Sequence, residues 1–136
     1  MAVTHTIAMR NTLCNAVVDA IDAGAGAGKL VFRVTGSTAD SPSGSPPATL
    51  TFSDPAFDDA GSAGGNSDGV ATADVIAPDT NAAGGTIAFA TLEDSVGTVC
   101  AHCAVGTSGS DINLSSLSPQ SGDTVSVSDL TYEAPN

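Results

Sequence analysis

The sequence predicts a mainly β domain of the α+β class, with an N-terminal amphipathic helix packed on an antiparallel β-sandwich of about seven short strands. Three observations lead there. Residues 5–23 repeat apolar side chains at three- and four-residue spacing, which is a helical period. From Lys29 onward the apolar period drops to two, in short runs cut by Gly, Pro, Ser and Asp. Charged residues are 13% of the chain and hydrophobic ones 41%, a balance unlike that of disordered segments, which pair high charge with low hydrophobicity. With 136 residues and no strong linker, the chain suits one domain over 1–136, helix about 5–23 and sandwich about 29–133.

In the helix, Met9, Leu13, Ala16, Val17, Ala20 and Ile21 make one apolar stripe, expected to face the core. Arg10, Asn11, Asn15, Asp19 and Asp22 fall mainly on the other faces. Thr4 or Thr6 suits the N-cap, and Gly24 suits a left-handed ending. A glycine-rich turn through Gly24, Gly26 and Gly28 leads into a strand at 29–35, with Leu30, Phe32 and Val34 on one face. The Pro/Ser/Gly stretch 36–47 cannot join a central strand and reads as a loop. A strand at 48–53 puts Leu50 and Phe52 inward and stops at Asp54-Pro55. A Gly/Ala/Asp loop at 58–68 and a strand at 70–76 follow. Residues 86–93 and 98–105 form a hairpin about Asp94–Gly97, and 112–117 and 124–132 complete the strands, the last with Val125 and Val127 alternating.

Charge excludes whole classes of function. Arg10, Lys29 and Arg33 are the three basic residues, set against thirteen Asp and two Glu, for a net charge of −12. Nucleic-acid binding needs a basic stripe, and an anionic membrane surface repels such a chain. No apolar stretch approaches the ~18 residues of a membrane span. The start, MAVTHTIAMRN, has neither a basic n-region nor an apolar h-region, and the three cysteines are an odd number. The expectation is synthesis and folding in a cytoplasm, without a signal peptide.

Few stretches suggest chemistry. The glycine turn ending in Gly28-Lys29 is not a phosphate loop: Ala23 stands where the first glycine belongs and Leu30 where Ser or Thr belongs. Its order is also helix, loop, strand, so no helix N-terminus faces a phosphate. Cys100-Ala-His-Cys103 is the sharper candidate, because C-x-x-C beside a His can bind zinc or carry electrons. A structural zinc site takes four ligands from two pairs held in knuckle turns. This stretch alternates like a strand, where residues three apart face opposite ways, so Cys100, His102 and Cys103 are only weak metal candidates. Cys14 would have to come from the helix, and no second Cys/His pair exists. Gly106-Thr-Ser-Gly109 lacks the final glycine of a nucleophile elbow, having Ser110 there. Asp58-Asp59 offers oxygen ligands for calcium but sits in no EF-hand pattern, and loop aspartates ordinarily cap turns. No catalytic residue, cofactor or enzyme activity is expected.

Several stretches together carry a family resemblance. MRNTLCNAVVDAIDAGAGAGKLVFRVTG, ATLTFSDPAF, GVATADVI, VGTSGSDINLSS and SGDTVSVSDLTY resemble small proteins of tailed-phage and prophage structural modules. The likeness covers nearly the whole chain and is similar in size and composition to capsid cement (decoration) proteins. Two places depart from that group: the middle hairpin carries only Phe89 where a large aromatic is common, and CAHC stands where no cysteine motif is expected. The resemblance implies a non-enzymatic virion structural protein, synthesised in the host cytoplasm and sited on the capsid surface. Its implied partners are the major capsid protein and copies of itself, as a dimer or trimer, with no nucleic acid and no membrane. Loops 36–47 and 58–68 are long enough to reach over a neighbour. A tail or baseplate component is the alternative within the virion. A carbohydrate-binding module is weaker, since sugar platforms use aromatic faces and this chain has no Trp and one Tyr, Tyr132.

Overall fold

The computed structural model describes residues 3–61 and 67–136. It is mainly β with one helix, α1 (Ile7–Ile21), followed by β1 (Lys29–Arg33), β2 (Thr49–Thr51), β3 (Val70–Thr72), β4 (Phe89–Glu93), β5 (Val99–Gly106), β6 (Ile112–Asn113) and β7 (Thr131–Glu133). One sheet runs in the order β2-β1-β4-β5-β6, and β3 pairs with β7 in a second. Helix and hairpin fall where local signals put them. Thr6 caps α1, its hydroxyl accepting the Met9 N–H at 3.3 Å, and Gly24 takes a φ of 104° just beyond the C-cap Asp22. Gly28 lies so close to the last helical turn that an added Cβ would meet the Ile21 carbonyl oxygen at 2.6 Å. The glycine run is therefore a close crossing of helix and strand.

In the larger sheet, Leu50, Leu30 and Leu92 lie side by side across β2, β1 and β4, with Phe32, Ala90 and Cys103 in the next row. All six are buried, and each large aliphatic side chain so placed contributes about 1.5–3 kcal/mol. The opposite face of β1 and β4 is buried as well, at Val31, Thr91 and Glu93. The 36–47 loop packs against that side through a few residues, while Thr38, Asp40, Ser41, Ser43 and Ser45 stay exposed. Ala39 and Pro42 share a cleft with residues 97–102, Gly44 crowds Val34, and Pro47 is fully buried. The other long loop, expected at 58–68, lies partly outside the described residues, which omit 62–66.

Three expectations need correction. Of the apolar stripe expected on α1 only Ile21 reaches the core, while Met9, Leu13 and Ala16 face solvent and Val17 and Ala20 are half-buried. Cys14, Val18 and Ile21 are the buried residues of the helix, while Met9 is 47% and Leu13 37% exposed. The inward face is set by hydrogen bonds: the side-chain oxygens of Asn11, Asn15 and Asp22 accept N–H groups of Gly69, Ala60 and Ala56 at 2.6, 2.7 and 2.7 Å. These buried amides have to be satisfied, and doing so outweighs burying Met9 and Leu13. Second, the strand at 112–117 shrinks to Ile112–Asn113 and runs parallel to β5, so the sheet is not wholly antiparallel. Side chains hold the return: the Asp111 carboxylate accepts the Ala104 N–H at 2.8 Å, and the Asn113 Oδ1 accepts the Ser110 N–H at 3.1 Å. Third, 124–132 is no continuous strand. Val125 and Val127 are buried as the alternation requires, but Val125 makes only an isolated bridge to Asp79, and the ladder begins at Thr131.

Candidate functional site

The chemical candidates of the sequence fall apart in space. β5 carries CAHC, and its two-residue period sends neighbouring side chains to opposite faces. Cys100 is half-buried in a cleft of about 370 Å³ with Ala39, Asp40 and Pro42. Cys103 is buried in another cleft, of about 360 Å³, between β5 and β7, with Asp111, Tyr132 and Glu133. His102 stands exposed at the margin of both. Burial, with the Asp111 charge nearby, pushes the Cys103 thiol up to about 12, so at neutral pH it rests as a protonated thiol. Its Sγ donates to the Ala90 carbonyl at 3.9 Å. Burial also raises Cys14, whose Sγ donates to the Tyr132 carbonyl at 3.7 Å. Among the described residues no three His, Cys, Asp or Glu side chains converge as a metal site. The amide of Asp58 donates to Thr72 O at 3.3 Å, and Ser108 stands exposed in the turn after β5.

A buried polar cluster escaped the sequence reading. Arg33 Nε donates to Thr91 Oγ1 at 3.2 Å, Thr91 Oγ1 donates to Glu93 Oε1 at 2.7 Å, and Arg33 also pairs with Glu93. The charged side chains are 11% and 6% exposed. Each charge satisfies the other under the sheet, and losing either partner leaves an uncompensated buried ion. Rarity was the available signal, since Arg33 is one of three basic residues and Glu93 one of two Glu.

What α1 presents outward is a row of apolar side chains. Because α1 docks through Asn11, Cys14, Asn15, Val18, Ile21 and Asp22, its opposite side carries Met9, Leu13 and Ala16 into solvent, with Ala20 half-buried beyond them. Val3 and Ile7 are also exposed, at 83% and 57%, but Ile7 lies on the side of α1 that carries Cys14, Val18 and Ile21, not on this stripe. Arg10 is not part of that stripe: it reaches back to Glu133 at 3.1 Å and the Ala134 carbonyl at 3.5 Å. Among the described residues no helix is long and apolar enough to cross a membrane. No protein-family model, curated protein or solved structure matches the chain.

Proposed function

We propose that this chain is a non-enzymatic virion structural protein, a capsid cement (decoration) protein that stabilises the head shell by protein–protein contact. The observation that carries the reading is the outward apolar stripe of α1 on a chain of net charge −12. An otherwise acidic surface keeps the protein off nucleic acid and off other particles, and the stripe supplies a place for contact. The family resemblance of nearly the whole chain supports the same reading. In it, the five-stranded and two-stranded sheets are the layers of a seven-strand sandwich that holds α1 at the surface. The partners are the major capsid protein and further copies of this chain, on the capsid surface, after synthesis in the host cytoplasm.

The test is copy number in purified particles, by quantitative mass spectrometry against the major capsid protein. A ratio near one, or a simple fraction of it, is the expected result. A few copies per particle would move the chain to the tail or baseplate, and absence from the particle would end the virion reading.

A further inference from the structure

The geometry points to a second copy of this chain as the occupant of the outer face of α1, in a two-fold, antiparallel helix pair. Met9, Leu13, Ala16 and Ala20 are spaced four, three and four residues apart, the a/d spacing of a helix that packs along another helix. α1 is the only helix among the described residues, so a like partner for this seam within the protein is α1 of another copy.

The order of sizes along the seam selects the direction. Two large side chains, Met9 and Leu13, lie toward the N-terminal end, and two small ones, Ala16 and Ala20, toward the C-terminal end. Antiparallel pairing sets Met9 against the partner's Ala20 and Leu13 against the partner's Ala16, so every large side chain meets a small one. Parallel pairing would set Met9 on the partner's Met9 and Ala20 on the partner's Ala20, overfilled at one end and gapped at the other. A symmetric contact of this kind is isologous and closes as a dimer.

Charge selects the same partner. Residues 3–18 contain no Asp or Glu, while all fifteen acidic residues lie between Asp19 and Glu133. Two copies of a −12 chain repel wherever carboxylates face each other, and this face is where a second acidic copy approaches with least repulsion. A basic partner would be drawn instead to the acidic loops. Area sets the strength. A 15-residue helix is about 22 Å long, and one side of it covers less than the ~800 Å² per partner of a standard interface. The dimer is therefore weak and concentration-dependent, and becomes effectively permanent only where copies are held side by side.

This inference rests on the self-association part of the proposed function and not on its location in a virion. Sedimentation equilibrium of the purified full chain tests it, over about 10 μM to 1 mM in about 0.5 M NaCl to screen the net charge. The wild type is expected to move from its 13.2 kDa monomer mass toward twice that value as concentration rises. Leu13→Glu should remain monomeric throughout, with an unchanged circular-dichroism melt at low concentration, because Leu13 is partly exposed in the monomer. Ala16→Leu should weaken the dimer at least several-fold, since it sets a large side chain against the partner's Leu13. A wild type that stays monomeric over the range overturns the inference. So does a Leu13→Glu dimer as tight as the wild type, which would place self-association on another face. Tightening by Ala16→Leu overturns the antiparallel arrangement.

Discussion

Asp94 accepts the backbone N–H groups of Thr98 and Val96, at 2.8 and 3.0 Å, and these bonds close the turn from β4 to β5. The bond from Thr98 is the largest cause holding its carboxyl below the usual range, because an N–H stabilises the charged form. Asp22 is shifted the other way. Burial raises it, the Ala56 N–H opposes that rise, and the Asp54 and Asp19 charges add to it. The signs for stability follow from linkage. For Asp94, with a lowered folded value, the contribution is present above the unfolded value of about 3.9 and is lost as pH falls through the folded one. For Asp22, with a raised folded value, the relative contribution is greatest below about 3.9 and is lost as pH rises through the folded one. Thermal melts of single variants against wild type, from about pH 2 to pH 7, should show both. Asp94→Asn is expected to trail the wild type at neutral pH and close the gap in acid. Asp22→Asn, which keeps an oxygen for Ala56, is expected to exceed the wild type at neutral pH and lose that advantage in acid. Two difference curves of the same sign would refute these partner assignments.

At the scale of the element, α1 is held by what its polar side chains accept. Asn11→Ala strands the Gly69 N–H and should cost about 1–3 kcal/mol, whereas Leu13→Ala, at a partly exposed site, should stay within about 0.5 kcal/mol. Urea unfolding at low protein concentration checks the pair, and the reverse ranking would mean that the apolar stripe packs inward after all. Hydrophobicity alone gives that reverse ranking, which is why the helix was legible in the sequence and its orientation was not. Its start at Thr6, its end near Gly24 and the Asp94–Gly97 hairpin are signals that neighbouring residues read from one another. The partners of Asn11 and Asn15, by contrast, are amides 58 and 45 residues away, supplied by a loop with no pattern of its own. The same distinction governs the strands. Val125 and Val127 alternate because both are buried, but burial does not name a hydrogen-bonding partner, and Val125 finds Asp79 instead of a ladder. Of the chemical candidates, the separation of Cys100 from Cys103 was readable from the two-residue period. The Arg33–Thr91–Glu93 cluster was not, since it joins strands 58 and 60 residues apart.

For the whole molecule, net charge sets the conditions under which the fold is stable. Two of the three basic residues are already committed, Arg10 to Glu133 and Arg33 to Glu93, so most carboxylates have no cation of this chain to answer them. Their mutual repulsion disfavours the compact state, and it acts largely through solvent, where salt screens it. The Debye length shrinks from about 10 Å at 0.1 M to about 3 Å at 1 M, shorter than typical spacing between surface carboxylates. The Arg33–Glu93 pair is sheltered under the sheet and is screened much less, so added salt removes the unfavourable surface interactions while sparing that favourable one. Raising NaCl from about 0.05 to 1 M should therefore raise the melting temperature by several degrees, a gain of about 1–2 kcal/mol for a domain of this size. Sucrose at matched osmolality separates screening from exclusion effects, and Asp→Asn changes at exposed loop positions such as Asp40, Asp68 and Asp129 should flatten the salt slope in proportion to the charge removed. A melting temperature that falls with NaCl would mean that favourable ion pairs outweigh repulsion, and the acidic surface would then need a different account. A rise would also favour the helix pair, because the salt that relaxes each monomer lowers the barrier between two of them.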